Sequence, residues 1–249
     1  DHVSLDIYEG ECLGLVGESG CGKSTLARTI IRLYEPTSGQ LMLEGTDITH
    51  LNSRAMRPLR PKMQMIFQDP YSSLNPRMSV RSIIGEILRY HDVVPREQVN
   101  ARVEELMHMC GLSADYADRY PGEFSGGQQQ RVGIARALAL NPSFIIAAEP
   151  VSALDVSIQA QIINLLGDLQ QQLDLTILFI SHDLRVVRHI THRVAVMYLG
   201  SVMELGPTEE LFSHPLHPYT QVLTKAAPVM NPLERTREYA IEGETPSPI

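Results

Sequence analysis

The sequence predicts an α/β fold built on a mainly parallel β-sheet, and three observations carry that prediction. Short, continuously apolar runs recur at residues 12–16, 144–148 and 175–180. Strands of a parallel sheet read this way because helices bury both of their faces. Between these runs lie segments with apolar residues at helical spacing, the alternation that parallel crossovers require. Finally, residues 193–200 and 201–204 read as an antiparallel hairpin with Gly200 in its turn.

Composition narrows the class. The 249 residues suffice for a sizeable core, as one large domain or two small ones. The net charge of −8 excludes general affinity for nucleic acid. Cys12, Cys21 and Cys110 are too widely spaced for a disulfide framework or a metal site, which fits a reducing compartment. No signal peptide is visible in the sequence, and no apolar run approaches the ~20 residues of a membrane span, so a membrane role is expected to come through a partner.

Taken in order, residues 3–7 alternate as a half-buried strand, and Glu9-Gly10-Glu11 turns into the strand at 12–16. A helix over 24–31 follows the glycine-rich stretch 17–25. Pro36-Thr37-Ser38-Gly39 is a turn before a strand at 40–45, and 63–67 is a further apolar strand ending at Gln68. From 71 to 130 the texture changes to polar loops and amphipathic helices, at 80–88 and 97–109, with Met107 and Met109 as core filler. Phe124-Ser125-Gly126-Gly127-Gln128 opens a long helix, 129–140, which Asn141-Pro142 stops. The strand at 144–148 delivers Glu149. Ser152-Ala153-Leu154-Asp155 leads into a helix at 157–173, and the strand at 175–180 ends at Ser181-His182-Asp183. Gln68, Glu149 and His182 thus all fall at strand carboxyl ends, where open α/β sheets carry their active groups.

The chemistry is concentrated in Gly17-Glu18-Ser19-Gly20-Cys21-Gly22-Lys23-Ser24-Thr25. It matches the phosphate-binding pattern G-x-x-x-x-G-K-[ST], set between a strand and a helix. Its glycines let backbone N–H groups turn around a β-phosphate, and the helix N-terminus faces the anion. Lys23 would reach the β- and γ-phosphates, and the Ser24 hydroxyl would hold Mg²⁺. Cys21 is a small side chain that fits the loop.

Together with Gln68, the string at 124–128, Glu149, the Ser152–Asp155 succession and His182, this loop resembles the nucleotide-binding subunit of ABC transporters over nearly the whole chain. Residues 67–76, 149–157 and the tail His214-Pro215-Leu216-His217-Pro218-Tyr219-Thr220 are most similar to the oligopeptide/dipeptide importer branch. The resemblance implies a RecA-like P-loop core at 1–70 and 141–205, an inserted helical subdomain at 71–140, antiparallel β elements, and an importer-type extension at 206–249. It implies ATP and Mg²⁺ as cofactors, with Mg²⁺ held by Ser24 and Gln68. Glu149 would polarise the attacking water, His182 would hold the γ-phosphate, and Gln68 would report its occupancy. Ser125, Gly126 and Gly127 would face the nucleotide of a second subunit, with Asp155 acting across that interface. The expected partners are that second ATP-binding subunit, permease subunits docking near 69–100, and indirectly a substrate-binding protein. The expected location is the cytoplasmic face of the membrane, attached peripherally. His214 and His217 read as packing of an extended tail. The chain reaches Gly243-Glu244-Thr245-Pro246-Ser247-Pro248 and stops short of the cysteine-bearing extension of longer members, so no iron–sulfur cluster is expected.

Two departures stand out. The family strand before the glutamate ends in aspartate, whereas here it is Ala148, and alanine cannot coordinate a hard cation. This motivates an alternative: a degenerate ATP-binding partner in an asymmetric heterodimer. In addition, the aromatic residue that stacks on adenine in the family is expected upstream of Asp1, as for a fragment truncated at both ends.

Overall fold

The structure, a computed structural model, describes residues 2–226. Strand β1 (Cys12–Val16) leads through the glycine-rich stretch into α1 (Lys23–Ile30). A separate antiparallel pair follows, β2 (Met42–Leu43) and β3 (Thr46–Asp47), and then the short α2 (Ser53–Met56) and β4 (Met63–Ile66). Four helices come next: α3 (Pro70–Ser73), α4 (Val80–Tyr90), α5 (Val99–Met109) and α6 (Gly126–Leu138). The chain then alternates through β5 (Phe144–Ala148), α7 (Val156–Leu173), β6 (Thr176–Ile180) and α8 (Leu184–Ile190). It closes with β7 (Arg193–Tyr198), β8 (Ser201–Pro207), α9 (Thr208–Ser213) and α10 (Pro218–Ala226).

Six strands form one sheet in the order β4-β5-β6-β1-β7-β8. All neighbours are parallel except β7 and β8, the expected hairpin. Strand β1 lies between β6 and β7, with Gly14 opposite Phe179 on one side and Val194 on the other. The stretch that follows β1 therefore emerges near the middle of the sheet's carboxyl edge.

Strand alternation divides the core into two faces. Ile145 and Ala147 of β5 and Ile177 and Phe179 of β6 point to the layer holding α4–α7. Phe144, Ile146, Leu178 and Ile180 point to the layer holding Cys21 and Ala27, at and beside α1. Phe179, Leu13 and Leu15 are fully buried, each contributing about 1.5–3 kcal/mol of transfer free energy. Short runs buried on both faces are what the apolar stretches required.

Some expectations needed correction. Residues 3–7 alternate in burial as read, and Val3, Leu5 and Ile7 pack on the α1 layer, but they form no strand. The stretch 40–45 is broken by a tight turn: Glu44 and Gly45 both take positive φ (48° and 75°), giving the two short strands β2 and β3 instead of one. The tail is not extended throughout, since Pro218 starts α10; proline at a helix's first position has its φ already set. The expected chain end at 243–248 lies outside the described residues.

Candidate active site

A loop at the end of a central strand must be shaped by what lies beneath it. A Cβ on Gly17 would sit 2.2 Å from the Met197 carbonyl oxygen of β7, so only glycine allows the chain to leave β1 this close to its neighbour. The loop then curls over Lys23, whose ammonium donates to the carbonyls of Gly17 (2.7 Å) and Glu18 (2.8 Å). Lys23 is buried, while Ser24 and Thr25 are exposed on the first turn of α1. Cys21 is buried against the α1 layer, with its carbonyl accepting from Gly200 N–H in the β7–β8 turn (3.0 Å).

Ser19, Gly20, Gly22, Lys23, Ser24 and Thr25 line one open cleft of ≈ 450 Å³, and Gln68, Glu149 and His182 complete it. Each of these three stands just beyond a strand end, of β4, β5 and β6 in turn. Their side chains converge on one atom: Gln68 Nε2 donates to Glu149 Oε2 (3.1 Å), and His182 Nδ1 lies 3.4 Å from the same oxygen. The Glu149 side chain is only 18% exposed, against 60% for His182. Glu149 also holds a left-handed backbone (φ 48°), a conformation that costs a non-glycine residue of order 1–3 kcal/mol. Its N–H is anchored to the Ile180 carbonyl of β6 (2.9 Å), which keeps the carboxylate aimed into the cleft. The arrangement offers backbone N–H groups and an ammonium to an anion, with a carboxylate opposite them to orient a water.

Ala148 precedes Glu149 in β5, opposite Ile180, and is 8% exposed. By alternation it shares the face of Phe144 and Ile146, the face carrying α1, and it presents no donor there.

The string at 124–128 lies outside this cleft. Ser125 caps α6 reciprocally: its Oγ accepts from Gln128 N–H and Gln128 Oε1 accepts from Ser125 N–H (3.0 Å). Ser125 and Gly126 are exposed at the helix N-terminus, where N–H groups and the helix dipole favour an anion. Gly127 has a packing reason as well, since a Cβ there would meet Ile158 of α7 at 2.4 Å. Phe124, included with this string in the sequence reading, is buried in the core with its ring edge-on to Tyr116. Asp155 is exposed at the residue preceding α7, where its side chain makes no capping hydrogen bond, also outside the cleft.

Sequence reasoning overlooked Tyr219, whose hydroxyl accepts from Glu18 N–H (3.2 Å). Nothing local marks it, because the two residues are 201 positions apart. His217 Nδ1 accepts from Tyr219 N–H (3.1 Å), and His214 lies beside Ser213 Oγ.

Residues 1–152 match the family described as "ABC transporter", and residues 203–249 match "Oligopeptide/dipeptide transporter, C-terminal region". The chain belongs to the ABC transporter family. Among curated members it is 56% identical to a probable peptide ABC transporter ATP-binding protein, y4tS, of Sinorhizobium fredii, covering 100% of this chain and 70% of the relative. It is also 56% identical to the oligopeptide transport ATP-binding protein AppF of Bacillus subtilis, covering 100% and 76%. Among solved ABC cassettes it is similar to a post-hydrolysis dimer of the ATP-binding cassette MJ0796 bound to ADP and Pi. There the TM-score is 0.74 at 32% identity, over 83% of this chain and 89% of that one. The structure of cbiO1 from Clostridium perfringens, part of the transporter complex cbiONQ, gives 0.76 at 29% identity, over 84% and 82%. No helix among the described residues is long and apolar enough to cross a membrane.

Proposed function

We propose that this chain is the ATP-binding and ATP-hydrolysing subunit that powers an importer of di- or oligopeptides or related small solutes. The observation that carries this reading is the convergence of Gln68 and His182 on Glu149, facing the glycine-rich loop across one cleft. The match of residues 203–249 to the oligopeptide/dipeptide C-terminal region supports the peptide branch.

In this reading the loop N–H groups and Lys23 bind the β- and γ-phosphates of ATP. Glu149 orients and polarises the attacking water, and His182 steadies the γ-phosphate while it transfers; the cleft achieves this mostly by positioning and charge. The α6 N-terminus, exposed at Ser125 and Gly126 with Gly127 packed behind them, lies away from the chain's own cleft, so it serves the ATP of a second subunit in a head-to-tail pair. Asp155 acts at the same interface. Permease subunits and, through them, a substrate-binding protein complete the assembly at the cytoplasmic face of the membrane.

Mg²⁺ fits in part. The Ser24 hydroxyl and the Gln68 amide border the cleft, and together with phosphate oxygens and waters they supply the hard oxygen donors that the ion prefers. Bound there, Mg²⁺ would neutralise charge on the phosphates. The Ala148 side chain adds nothing to this set, so the ion would have two neutral protein ligands, Ser24 and Gln68. The degenerate-partner alternative draws on Ala148 alone, whereas Gln68, Glu149 and His182 keep a convergent arrangement.

Reconstitution of the chain with its permease in lipid vesicles tests the reading. Peptide-loaded binding protein raises ATP turnover and drives peptide uptake; turnover indifferent to permease, binding protein and peptide would reject the importer assignment.

A further inference from the structure

The C-terminal segment reaches back onto the phosphate loop. Its start is fixed by Glu204 of β8, whose carboxylate accepts from Leu216 N–H and His217 N–H (both 2.9 Å). From there α10 lays the Tyr219 ring against Tyr198 of β7, with centroids 4.4 Å apart, and leaves Tyr219 only 9% exposed. The ring's hydroxyl accepts from the N–H of Glu18. That N–H belongs to the peptide unit whose carbonyl is Gly17 O, and Gly17 O is the nearer acceptor of the Lys23 ammonium. One rigid peptide plane therefore joins the two: tilting it moves the Lys23 acceptor and the Tyr219 donor together. Burial pushes the Tyr219 hydroxyl up to about 12, so it stays neutral at any pH where the protein works.

We propose that Tyr219 is a positioning residue of the nucleotide site. It fixes the 17–18 peptide, and through it Lys23, so that the C-terminal segment sets the shape of the phosphate loop. The inference rests on the reading that Lys23 binds nucleotide phosphate. Tyr219 itself touches no nucleotide in this account.

The test compares Tyr219→Phe with Tyr219→Leu in the full chain, measuring the Kd of a fluorescent ATP analogue alongside KM and kcat. Phenylalanine keeps the ring on Tyr198 and removes only the hydroxyl. The expected result is a roughly 3- to 10-fold weaker Kd for Tyr219→Phe, the order expected from one lost hydrogen bond. A matching rise in KM, little change in kcat and no rescue by Phe relative to Leu should accompany it. If Tyr219→Phe binds like the parent chain while Tyr219→Leu is weakened, the residue is only packing and the proposal falls. It falls equally if both variants bind like the parent. Lys23→Ala separates the two levels of argument. If the parent binds the analogue no better than Lys23→Ala, the nucleotide reading fails and takes this inference with it. If Lys23→Ala abolishes binding and Tyr219→Phe does not weaken it, this inference alone fails.

Discussion

Replacing Ala148 with aspartate puts a carboxylate at the end of β5, one residue before Glu149 and on the face that carries α1. The site is 8% exposed, so a charge placed there is poorly screened by water. At an effective dielectric of about 20, a carboxylate about 5 Å from a cation gains about 3 kcal/mol. Part of that gain is already present when the nucleotide and its metal first bind, and only the part that grows in the transition state accelerates turnover. Half of it, about 1.5 kcal/mol, corresponds to roughly a tenfold rate increase. Ala148→Asp is therefore expected to raise steady-state Mg-ATP turnover of the assembled transporter about 10-fold or more, and to lower the Mg²⁺ concentration for half-maximal turnover. ATP binding measured in EDTA should weaken instead, because without the metal the poorly screened carboxylate repels the phosphates. Equal turnover and an unchanged Mg²⁺ midpoint would refute the reasoning. Ser24, Gln68 and the phosphates would then hold the ion adequately without a carboxylate.

Further predictions concern the frame around the site. Gly127→Ala forces a Cβ to within 2.4 Å of Ile158, and overpacking of this kind costs about 1–3 kcal/mol; a Tm loss of several degrees, partly recovered by adding Ile158→Ala, is expected. An unchanged Tm would show that α6 and α7 part freely. Arg193 donates to both oxygens of the 6%-exposed Glu11 (3.2 Å each), so Arg193→Met leaves a buried carboxylate without its counter-charge, held only by the Tyr8 N–H (2.9 Å), and should cost about 2–4 kcal/mol in denaturant unfolding. Adding Glu11→Gln should recover much of this, and failure to do so would locate the cost elsewhere. Cys12 and Cys110 are fully buried, and burial raises both thiols to about 12. Neither should react with Ellman's reagent at pH 8 until the protein unfolds; mass-mapped labelling of either thiol in the native state would contradict this.

The glycine-rich turn between β1 and α1, the apolar strands and the position of three polar residues at strand ends were legible in the sequence because their signals are local. A glycine-rich turn between strand and helix, or a five-residue apolar run, states its own conformation. Residues 3–7 show the limit: alternation predicted which side chains are buried, but a strand also needs a neighbouring backbone to pair with. The prolines at 215 and 218 read as an extended tail, yet the second begins a helix, since proline suits a first turn as well as an extended chain. Phe124 and Gly127 belong to a recognisable string, but their packing against Tyr116 and Ile158 depends on how α6 is seated. The Tyr219–Glu18 hydrogen bond had no local signal, because only the sheet order brings α10 beside the loop after β1. The convergence on Glu149 Oε2 was foreseeable as a shared sheet edge, though not as one shared oxygen.

The central claim is that Glu149 acts on water opposite a phosphate held by the glycine-rich loop. The most direct test is single-turnover ATP hydrolysis by the reconstituted chain, Glu149→Gln against its parent, with ATP retention measured on the same samples. The account predicts hydrolysis slower by about 10²-fold or more, the usual worth of a positioned base, with ATP bound as tightly as before. Hydrolysis within twofold of the parent would contradict it and place the catalytic group elsewhere.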